Sequence, residues 1–489
     1  MAAFFFCLSK PSRVSNPERP FTRFRRKPVP LVVLSKLQPH SQPITQYQTH
    51  TQTHNQKLII TGPCRLSGHV PISGSKNAAL PILAATLCCS GTSKISNVPD
   101  LSDTRTMVSI LGEMGAEIEV YGNEILINTD GVRSVEPDSD EIGKFRGGFF
   151  MIGPLLARFG EAVMALPGGC DIGARPVDVY IQGLRALGAV VELRDGKVQA
   201  YAADGRGLVG GSFQLHYPSV GATETLTMAA CLADGVTVLS NVAKEPEVIC
   251  LAKFLNDCGA CIEGAGSDKL VIKGKSWLHG SRYTIAPDRI EAGTFMLAAA
   301  ITRSCISMSP VIPSHMSCLL DKLKAAGCKI RQWTHDTLEI SAISADVGEN
   351  LKGFNIKTGP FPGFPTDLQP QTTVLLTTCN GLSTVEESVF EKRMSHVNEL
   401  QKLGAKIQVC GSTALVSGND KGSALSGSCA VARDLRGGMS LVLAGLAAKG
   451  TTEIDGLANI DRGYENLDMK LRFLGADLKR LAPHLAFPV

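Results

Sequence analysis

Leu187-Gly188-Ala189-Val190-Val191-Glu192-Leu193 contains a helix end, a turn and a strand within seven residues. Gly188 stands where a helix stops on a left-handed residue, a conformation that glycine adopts without steric cost. The alternation after it places successive side chains on opposite faces of a strand. Upstream, Val179, Leu184 and Leu187 fall at helical spacing. The same turn recurs at Gly115-Ala116, Gly259-Ala260, Gly327-Cys328, Gly404-Ala405 and Gly475-Ala476, a period of about 70 residues. A second, more apolar helix precedes the turn within the unit, as in Ala78 to Leu87, Thr223 to Leu232, Thr294 to Ile301 and Met439 to Leu446. Short β-branched runs, such as Val236 to Leu239 and Thr451 to Ile454, lie between the two helices. The chain therefore reads as six copies of one helix–strand unit.

That period is longer than those of common solenoids, so the units are expected to group rather than string out. A chain of 489 residues exceeds one ordinary core, and two domains of roughly 200 residues, three units each, are the simplest division. The apolar helices, rich in Ala, Leu, Thr and Gly, should be buried together with the sheets outside them. Loops where the two groups meet then form the natural cleft.

The first 56 residues differ from the rest. Arg13, Arg19, Arg23, Arg25 and Arg26 sit among Ser, Thr, Pro and Gln, with Glu18 as the only acid. This is the composition of an organelle transit peptide, and its Ser, Thr and Pro content favours a plastid over a mitochondrion; a disordered basic tail is the plainer alternative. Without that segment the formal charge changes from +4 to about −3, which removes any case for nucleic-acid binding. No run reaches the roughly 18 apolar residues of a membrane span. The 15 cysteines form neither a secreted disulfide framework nor a zinc pattern. The one C-x-x-C, Cys258 to Cys261, has no second pair and no nearby His, so no metal is expected.

Chemistry-bearing residues concentrate in a few segments. Leu166-Pro167-Gly168-Gly169-Cys170-Asp171-Ile172-Gly173-Ala174-Arg175-Pro176-Val177-Asp178 presents a thiol on a glycine-rich loop with an arginine five residues on. Such a thiol can act as acid, base or nucleophile, whereas the composition by itself equally suits a buried structural cysteine. Ile72-Ser73-Gly74-Ser75-Lys76-Asn77-Ala78-Ala79 places a lysine and an amide where a strand gives way to an apolar helix. That is an anion cradle if the backbone N–H groups point outward, and a solvated helix start if they do not. Phe364-Pro365-Thr366-Asp367, Arg393, Asp434-Leu435-Arg436 and Ile460-Asp461-Arg462-Gly463-Tyr464 add three carboxylates and three arginines. Converging guanidinium forks imply a polyanionic small substrate; taken singly, each arginine is a surface ion pair.

At these residues the chain resembles the UDP-N-acetylglucosamine 1-carboxyvinyltransferases, from about Lys57 to the C-terminus. The motifs are SGSKNAALPILAA from Ser73, GPLLARFG from Gly153, LPGGCDIGARPVD from Leu166, SVGAT from Ser219, PDRIEAGTF from Pro287, FPTDLQ from Phe364, FEKR from Phe390, DLR from Asp434 and IDRGYE from Ile460. The resemblance implies two inside-out α/β domains of three units each, joined by a double crossover, with the site between them. It implies a leader over 1–56, first strands of the C-terminal domain over 57–75, one domain over 76–287 and a second over 288–489. It further implies transfer of an enolpyruvyl group from phosphoenolpyruvate to the 3′-hydroxyl of UDP-N-acetylglucosamine, with no cofactor, metal or obligate protein partner.

The residue roles it implies are as follows. Lys76 and Asn77 contact phosphoenolpyruvate, Arg175 and Arg462 hold its phosphate, and Arg436 holds its carboxylate. Cys170 gives a proton to the methylene carbon and is the residue fosfomycin alkylates in this family; Asp367 is the base toward the sugar hydroxyl. Arg146, Arg175, Pro176, Val177, Asp178, Val179, Ser219, Val220, Gly221, Asp367 and Val389 match contacts to the UDP-sugar, and Arg393 and Asp434 support the site. Tyr180, Tyr217 and Phe150 depart from the His, Lys and Trp of the bacterial pattern. The sister enzyme of this fold, which acts on shikimate 3-phosphate, has a Ser-rich run after its lysine and lacks the cysteine loop. Lys76-Asn77-Ala78-Ala79 and Cys170 argue against it.

Overall fold

The computed structural model describes residues 56–173, 175–203, 207–343, 350–419 and 425–481. The leader expected over 1–56 lies outside them apart from Gln56. Among the described residues, the helices Lys76–Ala85, Ile152–Phe159, Val220–Cys231, Arg289–Ile301, Gln369–Thr377 and Leu435–Ala447 are buried over most or all of their length. In Lys76–Ala85, Arg289–Ile301 and Leu435–Ala447, mostly apolar and small residues leave little face for water, so these helices go to the centre. None of the described helices is long and apolar enough to cross a membrane.

Side-chain caps decide where four of these helices begin. Ser75 Oγ accepts from Ala78 N and Ser219 Oγ from Ala222 N, both at 3.3 Å. The Asp288 carboxylate accepts from Ile290 N at 2.7 Å and Glu291 N at 3.0 Å, and Asp434 accepts from Arg436 N at 3.1 Å and Gly437 N at 2.9 Å. Each cap satisfies N–H groups that the helix itself leaves unpaired. The helices consequently start upstream of the apolar runs beginning at Ala78, Thr223, Thr294 and Met439, which brings Lys76 and Arg436 into first helical turns. Gln369–Thr377 and Ile152–Phe159 were not legible as buried helices. In the former, hydroxyl and amide donors are satisfied internally: Thr372 Oγ1 donates to Leu368 O at 2.7 Å, Thr373 Oγ1 to Gln369 O at 2.9 Å, and Gln371 Nε2 to Tyr464 Oη at 3.0 Å.

All six turn glycines have positive φ: 107° at Gly115, 83° at Gly188, 98° at Gly259, 112° at Gly327, 91° at Gly404 and 98° at Gly475. Each is followed by a strand that forms the outer edge of a small sheet, the strands being Glu117–Tyr121, Ala189–Arg194, Cys261–Glu263, Lys329–Thr334, Lys406–Cys410 and Asp477–Leu481. In the first five, the next strand in sequence folds back as an antiparallel hairpin partner. In the sixth, the partner is the first strand, Lys57–Gly62, which inserts between Asp477–Leu481 and Gly450–Asp455 with Ile60 opposite Leu478 and Thr452. The first strand of the described residues thus completes the last unit.

Two separate hydrophobic cores result. One runs from Ala78 to Ile285; the other combines Leu58 to Ile72 with Ile290 to Leu478. The helices Arg289–Ile301, Gln369–Thr377 and Leu435–Ala447 pack on one another in the second core, with Ile290 to Ile301 and Leu435 to Ala447 buried throughout. The two segments passing between the cores lie side by side. Ser75 N donates to Ala286 O at 2.8 Å and Asp288 N to Ser73 O at 2.9 Å, and Gly74 bridges Pro287. A Cβ on Gly74 would lie 1.8 Å from Asn97 O, so only glycine fits at this crossing.

Candidate active site

Residues from both lobes converge where the crossing segments meet the ends of the buried helices. Lys76, 8% exposed, begins its helix and sets Nζ 3.3 Å from Asp103 Oδ2. Arg462, brought in by the loop after Leu457–Ile460, places Nε 2.9 Å from Asp103 Oδ1 and Nη2 3.5 Å from Oδ2. Its Nη1 donates to Cys170 Sγ at 3.7 Å. One buried carboxylate that sequence reading did not single out therefore links the lysine to the arginine, and the arginine in turn reaches the thiol. Burial lowers the Lys76 ammonium from its usual range; Asp103 opposes this, while Arg436 and Arg462 add to it.

A second cluster centres on Asp367, in the short 3₁₀ turn Thr366–Leu368. Arg393 Nη2 donates to its Oδ1 at 2.9 Å, and Arg436 Nε and Nη2 donate to Oδ2 at 3.3 and 3.2 Å. Burial would push the Asp367 carboxyl up, but Arg436, Arg393 and Lys76 outweigh it and hold the group well below the usual carboxylate range. Arg436 is 2% exposed, and its guanidinium lies 5.2 Å from the centre of the Tyr464 ring. Its Nη1 has no hydrogen-bond partner, nor has Arg393 Nε. A buried guanidinium donor left without a partner is suited to take a further acceptor. Asp434 acts on this cluster only through the backbone, as the cap that orients the first turn carrying Arg436.

The cysteine loop reaches from the first lobe onto the second. Ile172 O accepts from Lys392 N at 3.0 Å, and Lys392 Nζ lies 3.0 and 3.1 Å from the Asp171 carboxylate oxygens. Gly173 has φ 124°, a conformation that favours glycine, and a Cβ there would lie 3.1 Å from Glu391 N, where the loop seats on residues 391–392. Cys170 itself is half-buried and packs against the second core. Arg175 stacks over Phe390 at 5.4 Å, and burial lowers its guanidinium, with Arg146 contributing. Asn77 is the one part-exposed residue of its helix.

The remaining residues form the flank of the cleft. Arg146 donates through Nη1 to Arg175 O and through Nη2 to Pro176 O at 3.2 Å, and lies 5.8 Å from the centre of the Tyr180 ring. Val177 caps and Asp178 opens the helix Asp178–Ala186, while the Val179 side chain is wholly buried. Ser219, Val220 and Gly221 make the start of Val220–Cys231, and a Cβ on Gly221 would meet Tyr180 Oη at 2.1 Å and Phe150 at 3.2 Å. Tyr217 and Val389 are exposed, at 45% and 38%. Glu387, also missed in the sequence, is 3% exposed and unites the turns around Asp367 and Val389. Its Oε1 accepts from Thr358 Oγ1 and Val389 N at 2.9 Å and from Phe390 N at 3.2 Å, and its Oε2 from Thr366 Oγ1 at 2.9 Å. No local spacing signals its reach to Thr358 and Thr366, which lie 29 and 21 residues away on other loops. Among the described residues no group of His, Cys, Asp and Glu has the arrangement of a metal site.

Comparison with known proteins gives this geometry its context. The profile of the EPSP synthase family (3-phosphoshikimate 1-carboxyvinyltransferase) matches residues 60–471. A UDP-N-acetylglucosamine 1-carboxyvinyltransferase of Gloeobacter violaceus is 48% identical over 427 residues, covering 87% of this chain and 91% of its own. UDP-N-acetylglucosamine 1-carboxyvinyltransferase 2 of Carboxydothermus hydrogenoformans is 45% identical over 427 residues, covering 87% and 100%. Among solved structures, the enolpyruvyl transferase NikO of Streptomyces tendae superposes with a TM-score of 0.78 at 25% identity, covering 88% of this chain and 100% of that one. An EPSP synthase of Acinetobacter baumannii shares the fold, with a TM-score of 0.65 at 19% identity, covering 87% and 100%.

Proposed function

We infer the reaction from one premise: the chain belongs to the EPSP synthase family of carboxyvinyltransferases, and within it to the UDP-N-acetylglucosamine 1-carboxyvinyltransferases. It transfers the enolpyruvyl group of phosphoenolpyruvate to the 3′-hydroxyl of UDP-N-acetylglucosamine and releases phosphate. The observation that carries the assignment of residues is the meeting of Lys76, Arg462 and Cys170 with Asp367, Arg393 and Arg436 in one cleft between the lobes.

The chemistry we propose uses these groups in sequence. Cys170 gives its proton to the methylene carbon, and the positive charge that develops at C2 is met by the sugar hydroxyl, whose proton Asp367 accepts. The tetrahedral ketal then loses phosphate, which carries off the proton held by Asp367, and the proton lost from the new methyl group returns to the thiolate, restoring the carbon–carbon double bond. Lys76, Arg175 and Arg462 balance the phosphate, and Arg436 the carboxylate; such fixed charges stabilise the transition state without reorganising. Asn77 adds a polar contact. Arg146 and the backbone over Arg175, Pro176, Val177, Asp178 and Val179, with Ser219, Val220, Gly221 and Val389, take the UDP-sugar.

Purified protein given phosphoenolpyruvate and UDP-N-acetylglucosamine should release phosphate and form the enolpyruvyl sugar nucleotide by mass spectrometry. Release with shikimate 3-phosphate instead, or with neither acceptor, would refute the assignment. Glu387→Gln tests the framework of the sugar site. The amide keeps the shape but turns one acceptor toward Thr366 into a donor, so kcat/KM for UDP-N-acetylglucosamine should fall about 5–50-fold, the worth of one or two charge-assisted bonds. The KM for phosphoenolpyruvate should change little. Both substrates are small molecules. For the leader we propose plastid import: residues 1–60 fused to a fluorescent protein should enter plastids, and a cytosolic or mitochondrial signal would refute that address.

A further inference from the structure

We propose that Asp103 is a positioning residue for this reaction: its buried carboxylate is the resident counter-ion of Lys76 and Arg462 and competes with the substrate's phosphate for both. The proposal rests on the enolpyruvyl-transfer reading above.

Asp103 is 6% exposed, in the first turn of the helix Ser102–Glu113. Both its oxygens are engaged by the same two cations: Oδ1 by Arg462 Nε at 2.9 Å, and Oδ2 by Lys76 Nζ at 3.3 Å and Arg462 Nη2 at 3.5 Å. Two cations against one carboxylate leave an excess positive charge in a buried place, which an anion is suited to neutralise. Two of the three contacts exceed the roughly 2.7–2.9 Å of a tight charge-assisted bond. Donors held at that length can turn to a phosphate oxygen without losing a strong partner. The carboxylate also spans the lobes, since Lys76 belongs to the first core and Arg462 to the loop of the second. Phosphate binding and lobe contact thus draw on the same guanidinium. Arg462 reaches Cys170 Sγ as well, so Asp103 moderates the positive charge beside the thiol.

The decisive comparison is inorganic phosphate binding by wild-type and Asp103→Asn protein, followed by calorimetry at pH 6 to keep the Lys76 ammonium protonated. Removing the competing charge should tighten phosphate binding about 5–20-fold, the scale of one charge pair in a partly desolvated site. Iodoacetamide should also label Cys170 faster in the variant, because the Arg462 charge is no longer shared. Asp103→Glu, which restores the charge, should return phosphate affinity to near the wild-type value, and Asp103→Ser gives a second neutral variant if Asn does not fold. Unchanged or weaker phosphate binding in the neutral variants would overturn the proposal and make Asp103 a structural support. The measurement needs no turnover. Wild-type protein that failed to form the enolpyruvyl product would refute the reaction separately.

Discussion

Replacing Cys170 with serine should lower turnover by about 10²–10⁴-fold, the usual contribution of a positioned proton donor. The variant should stay folded, because Cys170 is only half-buried and its loop is held by Lys392 at Ile172 O and at the Asp171 carboxylate rather than by the sulfur. A serine hydroxyl is a far weaker acid than a thiol, so size is conserved while the proton to be given is not. Cys170→Asp should retain transfer, since a carboxylic acid can supply that proton. The two variants separate further with fosfomycin, an epoxide that alkylates the matching cysteine in the family the chain resembles. Binding of its phosphonate by Lys76 and Arg462 would hold the epoxide near the sulfur that Arg462 already reaches at 3.7 Å, making a slow bimolecular attack a positioned one. Wild-type protein should therefore carry the adduct on Cys170 alone, faster with UDP-N-acetylglucosamine present, and Cys170→Asp should carry none. Peptide mass spectrometry reads the result. A label on other cysteines with Cys170 untouched, or full activity in Cys170→Ser, would remove it from the reaction.

Asp367→Asn should have an effect of similar size with a different kinetic signature. The amide is nearly isosteric but a poor base, so kcat should fall about 10²–10⁴-fold while the dissociation constant of UDP-N-acetylglucosamine changes far less. The arginines make the expectation specific. With Arg393 at 2.9 Å and Arg436 at 3.2 Å, the carboxylate is held well below its usual range and is a weak base in that arrangement. On the proposed mechanism it would become competent once Arg436 turned to the substrate's carboxylate, which would restore basicity by withdrawing a cation. Asp367→Asn should accordingly bind phosphoenolpyruvate no more weakly than wild type, because Arg436 is released from its partner. Unchanged turnover with weaker sugar binding would reassign Asp367 to recognition.

Local signals made much of this molecule legible. The six glycine turns could be found because a left-handed residue followed by alternation leaves a mark within seven positions, and every one has the positive φ its place demands. The apolar helices were legible because nothing on their surfaces suits water. Their starts were less so, because Ser75, Ser219, Asp288 and Asp434 cap through side-chain geometry that the apolar pattern does not report. Gln369–Thr377 stayed hidden because glutamines and threonines look solvent-facing until one sees them bonded inside the core.

By itself the sequence determined the repeating unit, the mixed helix and strand class, the thiol loop, the lysine at a helix start and the excess of arginine forks. All of these rest on residues within a turn or two of each other. Only the tertiary structure decided that Lys57–Gly62 closes the last sheet, that Asp103 stands between Lys76 and an arginine 359 positions away, that Arg393 and Arg436 share Asp367, and that Glu387 ties two loops. Pairings of that kind depend on which groups lose water together when two lobes fold. Burial strengthens a charge's hold on whatever partner is near, and nearness across hundreds of residues is a property of the packed chain rather than of any segment.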